Sequence, residues 1–440
     1  MPAAVSANDE NQAKETALKD APSSGKDTGN QPAVLLSHPT GNQNLRNALR
    51  SLNEHGMLGE FWTTVVWDPN SAWNRVLPAG LRMQMARRAY DGAPKDQVRC
   101  APSREVVRLG AKSLRIENLL CSGERPFSVI GMYRHFDSRV AKRLREITVD
   151  AVYAYEGGAL KTFREAKRLG IAAIYELPSS HWYWEQKLLL EEAERSPQFS
   201  NLLPKLKDSL RHMKWKDEEL QLADCVMVPS EHVRGTLSGV VADEKIRVVS
   251  YGAPTITTTR TQSSDPTKPL RVLFVGALIQ RKGIGYLLDA IEMAEPQVEL
   301  TLVGMRFAPN ARVDTACNRF RWFESLSQPE VLELMRKSDV LVLPSLAEGC
   351  ALVVLEALAC GLPVIVTPNT GALEFVRDGH EGFIVPTRDS EAIADRLSAL
   401  NRDRDLLVSM SENALQTAAK KSWEVYRNEW AKAVRAAIWQ

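Results

Sequence analysis

No stretch of the 440-residue chain approaches the ~20 consecutive apolar residues that a membrane span needs. Cysteine is scarce. Six thiols (Cys100, Cys121, Cys225, Cys317, Cys350 and Cys360) are scattered with no C-x-x-C pair, so neither a disulfide framework nor a zinc site is expected. Charge of one sign is also lacking: the net value is only +2, which gives no whole-molecule attraction to nucleic acid. Residues 1–32 have no apolar core of a secretory signal; they are polar and are expected to form a disordered lead-in. Together these absences leave the class of soluble, cytoplasmic α/β proteins.

What is present is an ordinary globular composition, 44% hydrophobic and 25% charged, in a chain long enough for two domains. Short apolar runs alternate with amphipathic segments. A strand near Ala33–Leu36 leads through a Gly turn to a helix with Leu45, Leu49 and Leu52 on one face. A second strand is expected at "FWTTVVW" (61–67), and an Arg-rich, helix-like region over 71–120. "VDAVYAYEGGALKTFREAKRLGIAAIYEL" reads as strand, Gly turn, helix, strand. Residues 255–269, "TITTTRTQSSDPTKP", are poor in large apolar side chains and mark a linker. The alternation then restarts at "LRVLFVG". The expectation is two doubly wound α/β domains, over 33–254 and 270–420, facing across a cleft, with a final helix over 421–440 returning to the first.

One segment resists a purely structural account. "EGCALVVLEALACGLPVIV" (348–366) places Glu348 and Glu356 eight residues apart at the ends of an apolar stretch. A buried charge costs several kcal/mol unless something pairs with it. The context is strand, loop, then helix, so the amides of Gly349, Cys350, Ala351 and Leu352 are expected to open a helix N-terminus, a seat for anions. Upstream, Gly276 ends a strand and Arg281-Lys282 follow before the next helix. Cations at a strand's carboxyl end suit a diphosphate: one pair at ~4 Å is worth about 4 kcal/mol at an effective dielectric of ~20, before desolvation.

The segment "EGCALVVLEALACGLPVIVTPNTGALEFV", ending in the Gly371-x-x-Glu374 turn, resembles the signature of retaining glycosyltransferases of family 4 (group 1), which have the GT-B fold. The resemblance implies that Glu348 contacts the donor sugar, that Glu356 grips the nucleotide ribose, and that Lys282 clamps the diphosphate. The family's arginine position is occupied by Ala277, and Arg281 is expected to substitute. Gly41, in "HPTGNQN", stands where the family approaches the phosphates with a backbone amide. His181, in "ELPSSHWYW", stands near the reacting sugar. Asp224, Ser230 and Arg234 match a further segment and are expected to be structural or to line the cleft. The loop 319–330 aligns with base contacts.

The activity so implied is transfer of a sugar from a nucleotide diphosphate-sugar to a saccharide or lipid-linked acceptor hydroxyl, with retention. No cofactor and no metal are expected, because no D-x-D stands in the setting that metal-dependent transferases use. The Arg-rich 71–120 region is suited to peripheral contact with an anionic membrane. Two rival readings accompany this one: a nucleotide-sugar-binding member with little or no turnover, which Ala277 favours, and a nucleotide-sugar epimerase, for which the acids needed at the sugar carbon are not evident.

Overall fold

The computed structural model describes residues 31–71, 77, 82, 85–86, 88–113, 116, 123–203, 210–256 and 267–439. The expected lead-in lies almost wholly outside the described residues, as do most of 72–87 and of the 255–269 linker.

The first lobe runs β1 (Val34–Ser37), α1 (Gln43–Glu54), β2 (Leu58–Thr63), β3 (Val98–Cys100), α2 (Ser103–Ser113), α3 (Val129–Leu144), β4 (Ala151–Tyr155), α4 (Leu160–Leu169), β5 (Ala172–Glu176), α5 (Trp182–Arg195), α6 (Leu210–Leu222), β6 (Cys225–Val228), α7 (Glu231–Thr236) and β7 (Ile246–Val248). Its seven strands pair in parallel in the order β3-β2-β1-β4-β5-β6-β7. Strands buried on both faces explain the near-continuous apolar runs. The strand expected at 61–67 begins three residues earlier, because pairing with β1 matches Val34 to Leu58 and Leu35 to Glu60. Glu60 is accommodated there by the Arg143 guanidinium at 2.6 Å.

The second lobe runs β8 (Leu270–Val275), α8 (Ile284–Ala294), β9 (Val298–Val303), α9 (Ala311–Arg319), β10 (Arg321–Phe323), α10 (Gln328–Lys337), β11 (Val340–Leu343), α11 (Leu352–Ala359), β12 (Val364–Val366), β13 (Gly382–Ile384), α12 (Ser390–Arg402), α13 (Arg404–Lys420) and α14 (Trp423–Ile438). Its strand order is β10-β9-β8-β11-β12-β13. The order reverses between β8 and β11, so the loops leaving these two strands diverge there and open a crevice. The topology therefore brings the 276–283 and 344–351 segments together, although ~70 residues separate them. Part of the 319–330 segment, expected as a loop, is instead the edge strand β10.

The chain crosses between the lobes a second time just before α14, where Ala253 N–H donates to Lys421 O at 2.7 Å. Ser422 caps α14 by accepting from Val425 N–H. This helix packs on α1: Ser51 Oγ donates to Arg427 O at 2.6 Å, and Arg427 pairs with Glu54 at 2.8 Å. Trp430, 1% exposed, lies against Tyr153 with ring centroids 5.0 Å apart. Core residues of both lobes form one contiguous apolar cluster around these contacts.

Candidate active site between the lobes

After β8 the chain makes a single tight turn, Gln280–Lys282, closed by Gly283 in the left-handed conformation (φ 73°). A Cβ at 283 would overlap the Pro344 carbonyl oxygen, so glycine is what lets this loop lie on the loop leaving β11. The Lys282 side chain runs past Gly276 and sets its Nζ 2.6 Å from Glu348 Oε1. Arg281 Nη1 donates to Ala347 O at 2.7 Å and lies 3.6 Å from the same Glu348 oxygen, while Leu346 N–H donates to Arg281 O at 2.8 Å. Arg281 thus reaches the cluster from the far side of the loop, despite Ala277. These side chains are largely shielded from solvent, which strengthens every charge interaction among them.

The helix after Glu348 starts later than expected, at Leu352, and residues 348–351 form a loop before it. That loop is fastened by backbone bonds from Glu348 N–H to Asn369 O (2.9 Å) and from Ala351 N–H to Thr370 O (3.0 Å). The Ala351 amide, expected to face a donor, is therefore spent on the loop; this corrects the sequence expectation for that group. Ala351 also caps α11 without a side-chain acceptor, which leaves its first-turn N–H groups to other partners. Cys350 is buried, and burial pushes its thiol up to about 12, so it packs and does not react. Glu356, one turn into α11, accepts from Gln328 Nε2 at 2.7 Å. Burial raises its pKa, and the Gln328 bond opposes that rise.

The first lobe contributes its own rim. His181 stands at the N-cap of α5; its N–H donates to Thr236 Oγ1 at 3.0 Å, and its Nε2 is 3.2 Å from Asp217 Oδ1. Burial lowers its pKa more than Asp217 raises it, which favours the neutral imidazole. Asp217 also accepts from Trp182 Nε1 at 2.6 Å. Gly41 lies in the turn between β1 and α1, where a Cβ would meet the Tyr90 ring, and Asn42 already caps α1 through a 2.8 Å bond from Leu45 N–H. The lobes touch at Gly349: a Cβ there would overlap Pro178 O of the first lobe, and Ser230 Oγ donates to Gly349 O at 2.6 Å. Glu374, of the expected Gly-x-x-Glu turn, likewise crosses the gap to accept from Glu231 N–H at 2.8 Å.

The other first-lobe candidates are structural. Asp224 pairs with Lys167 and accepts from Ala173 N–H, and Arg234 pairs with Asp243 and Glu231. Asp403-x-Asp405, the chain's D-x-D, opens α13, where Asp403 caps the helix. Residues that sequence reasoning missed are Glu185, whose Oε1 lies 3.6 Å from Arg281 Nε, and Asp217; Gln328, which donates to Glu356, falls within the 319–330 segment. Nothing in the linear pattern joins Glu185 or Asp217 to the motifs; only the fold does.

Residues 255–417 match the model of the family described as glycosyl transferases group 1. An uncharacterized glycosyltransferase of Methanocaldococcus jannaschii is 32% identical over 154 residues, 34% of this chain; the alignment spans 44% of that relative, less than half its length. Among solved structures, sucrose-phosphate synthase from Thermosynechococcus elongatus superposes with a TM-score of 0.63 at 17% identity, over 92% of this chain and 99% of that one. Anabaena HepE in complex with UDP-glucose gives 0.59 at 17%, over 92% and 100%. The fold is GT-B, two Rossmann-like lobes with parallel sheets of seven and six strands. The match over 255–417 supports a group 1 glycosyltransferase.

Proposed function

We propose that this chain transfers a sugar from a nucleoside diphosphate donor to an acceptor hydroxyl, with retention of configuration and without a metal. The observation that carries the reading is the contact of Lys282 with Glu348 at the β8–β11 switch point, with Arg281 beside it. The family match over the same half of the chain supports it, and the UDP-glucose bound to HepE makes a UDP-sugar the first donor to test.

The chemical problem is leaving-group charge. As the glycosidic bond loosens, negative charge gathers on the β-phosphate and positive charge on the anomeric carbon. Lys282 and Arg281 are already placed, so they stabilise the phosphate charge with little reorganisation. Glu348, released from Lys282 by the incoming phosphates, accepts hydroxyls of the donor sugar. Glu356 accepts the ribose hydroxyls through charge-assisted bonds worth roughly 1.5–3 kcal/mol each. Neutral His181, held by Asp217, offers a ring nitrogen to the sugar. Amides of Gly41, Gly349, Cys350 and Leu352 line the remaining edge, whereas that of Gly276 is spent on Val303 O at 2.8 Å, so Gly276 serves by giving room to the Lys282 side chain. The acceptor oxygen bonds to the anomeric carbon on the same face from which the diphosphate leaves, and the departing phosphate takes the acceptor proton, so configuration is retained without a carboxylate nucleophile. Contact of the lobes at Gly349 excludes water and limits hydrolysis.

The acceptor is a saccharide or a lipid-linked sugar. Contact with an anionic membrane is supported by α2, which exposes Val106 (56%) and Val107 (38%) together with Lys112. Among the described residues no helix is long and apolar enough to cross a membrane. Ala277 favours a second reading, a nucleotide-sugar binder without turnover. Measuring UDP release from UDP-sugars with and without a saccharide acceptor, in chelator, separates the two. Acceptor-dependent release with an α-linked product from an α-linked donor, read by proton NMR, supports the proposal; binding without release supports the second reading.

A further inference from the structure

The donor loop of the second lobe is not held by its own lobe alone. Gln280, immediately before Arg281 and 1% exposed, accepts from Gly285 N–H at 3.1 Å through Oε1, and its Nε2 donates to Glu192 Oε1 at 2.7 Å. Glu192 belongs to α5 of the first lobe and is fully buried. Its carboxylate collects two more donors from the second lobe, the Tyr286 hydroxyl at 2.8 Å and Arg388 Nε at 2.8 Å. Arg388 is, among the described residues, the one non-glycine residue with a positive φ (67°), a conformation that surrounding contacts must enforce.

The same stripe of α5 repeats the pattern one and two turns earlier. His181, Glu185, Leu188 and Glu192 are spaced four, three and four residues apart and share one helix face. Glu185 faces Arg281, and Leu188 O accepts from Arg388 Nη2 at 3.4 Å. Beyond the helix, Phe199 is buried over Gly285, whose missing side chain makes room for the ring, and Asn310 Nδ2 donates to Gln198 O at 2.8 Å. A buried carboxylate with three donors is satisfied only while all of them are present. Parting the lobes removes every one, and it removes Gln280's outer bond in the same step.

We infer that Glu192 is a positioning residue for the diphosphate clamp: through Gln280 it sets the Arg281–Lys282 turn, so the donor site is complete only when the first lobe is seated on the second. This rests on the reading of Lys282 as a phosphate-binding residue. It adds that donor affinity, although built from second-lobe groups, depends on a first-lobe side chain that touches no donor.

The test uses the full chain and UDP as probe, with affinity read by titration calorimetry and folding by circular dichroism and the ligand-free melting temperature. Glu192→Ala and Gln280→Glu, the latter opposing two buried carboxylates, are expected to weaken UDP binding about tenfold or more. The exchange Glu192→Gln with Gln280→Glu lets the new amide donate to the new carboxylate, and affinity is expected to return to within about threefold of wild type. If Glu192→Ala does not fold, Gln280→Glu against the exchange decides the matter. Folded variants that melt lower yet bind UDP as wild type does would leave Glu192 a purely structural residue and overturn the inference. Wild type that binds no UDP, or Lys282→Ala that binds it unchanged, defeats the phosphate-clamp reading and this inference with it. UDP binding lost in Lys282→Ala but kept in Gln280→Glu defeats the inference alone.

Discussion

The Lys282 ammonium and the Glu348 carboxylate lie 2.6 Å apart, brought together by the adjacency of β8 and β11 and by nothing in the sequence between them. The pair is shielded but not sealed, at 17% and 13% side-chain exposure. Such a pair holds a cation in place until a stronger anion arrives.

Lys282→Ala should therefore remove most nucleoside diphosphate affinity, roughly 10- to 100-fold for one charge-assisted contact of ~1.5–3 kcal/mol. Glu356→Ala should weaken UDP similarly while leaving phosphate or pyrophosphate affinity near wild type, since its expected partner is the ribose. Calorimetric titration with UDP and with pyrophosphate checks both. Equal loss of pyrophosphate binding in Glu356→Ala would contradict the assignment.

Gly349→Ala places a methyl group into the Pro178 carbonyl, a backbone group that cannot step aside. The lobes should be forced apart, at a cost of roughly 1–3 kcal/mol in stability. Turnover should fall further than donor affinity, because affinity loses only the Gln280–Glu192 brace, a drop of about tenfold, while turnover also loses the closed cleft. Steady-state kinetics beside UDP titration reads the split.

Glu176 supplies a pH prediction. It is fully buried on β5, accepts from Asn44, and is pushed up to about 7 chiefly by desolvation, against an ordinary value of 4.5. The folded state thus holds this proton more tightly than the unfolded chain does. Its contribution, on the order of 3 kcal/mol, is fully present below pH 4.5 and is lost as pH rises through about 7. Melting temperature should fall between about pH 4.5 and 7 and level off above that, and Glu176→Gln should flatten that fall. An unchanged slope in the variant would exclude Glu176 as the cause.

His38 acts on the opposite flank. It is buried against Tyr155 at 4.2 Å between ring centroids, and desolvation lowers its pKa to about 3. Here the unfolded chain binds the proton more tightly, so stability is full above about pH 6.5 and is lost as pH falls toward 3. Replacing His38 with Gln should reduce the acid sensitivity of the melting temperature over pH 4–6.

Trp430→Ala should cost about 3–5 kcal/mol, the range for emptying a large buried aromatic site. The loss should appear as detachment of α14, with proteolysis near Lys421 rising before global unfolding. Arg427→Ala, which removes one surface ion pair with Glu54, should cost under ~1 kcal/mol.

Local patterns were readable wherever one element carried its own signal. The β4–α4–β5 unit shows strand, glycine turn and helix in a single run, and Leu45, Leu49 and Leu52 announce the buried face of α1. The edge strand β10 was not readable: three residues of Arg-Trp-Phe, only half-buried, give no alternation to detect. The start of α11 lies later than the sequence suggests because the 348–351 loop is held by Asn369 and Thr370, partners that lie beyond the helix.

By itself the amino-acid order determined most of the segments that become strands and helices, that they divide into two α/β halves, and which short motifs carry paired acids and cations. Those properties are written in side-chain periodicity and in neighbours a few residues apart. Only the folded chain decided that Asp217 of α6 holds His181 at the start of α5, and that Glu192 braces Gln280 and Gly349 must lack a side chain, the last two because surfaces from different lobes meet there. Burial and contact are properties of three-dimensional proximity, and no spacing along the chain encodes them.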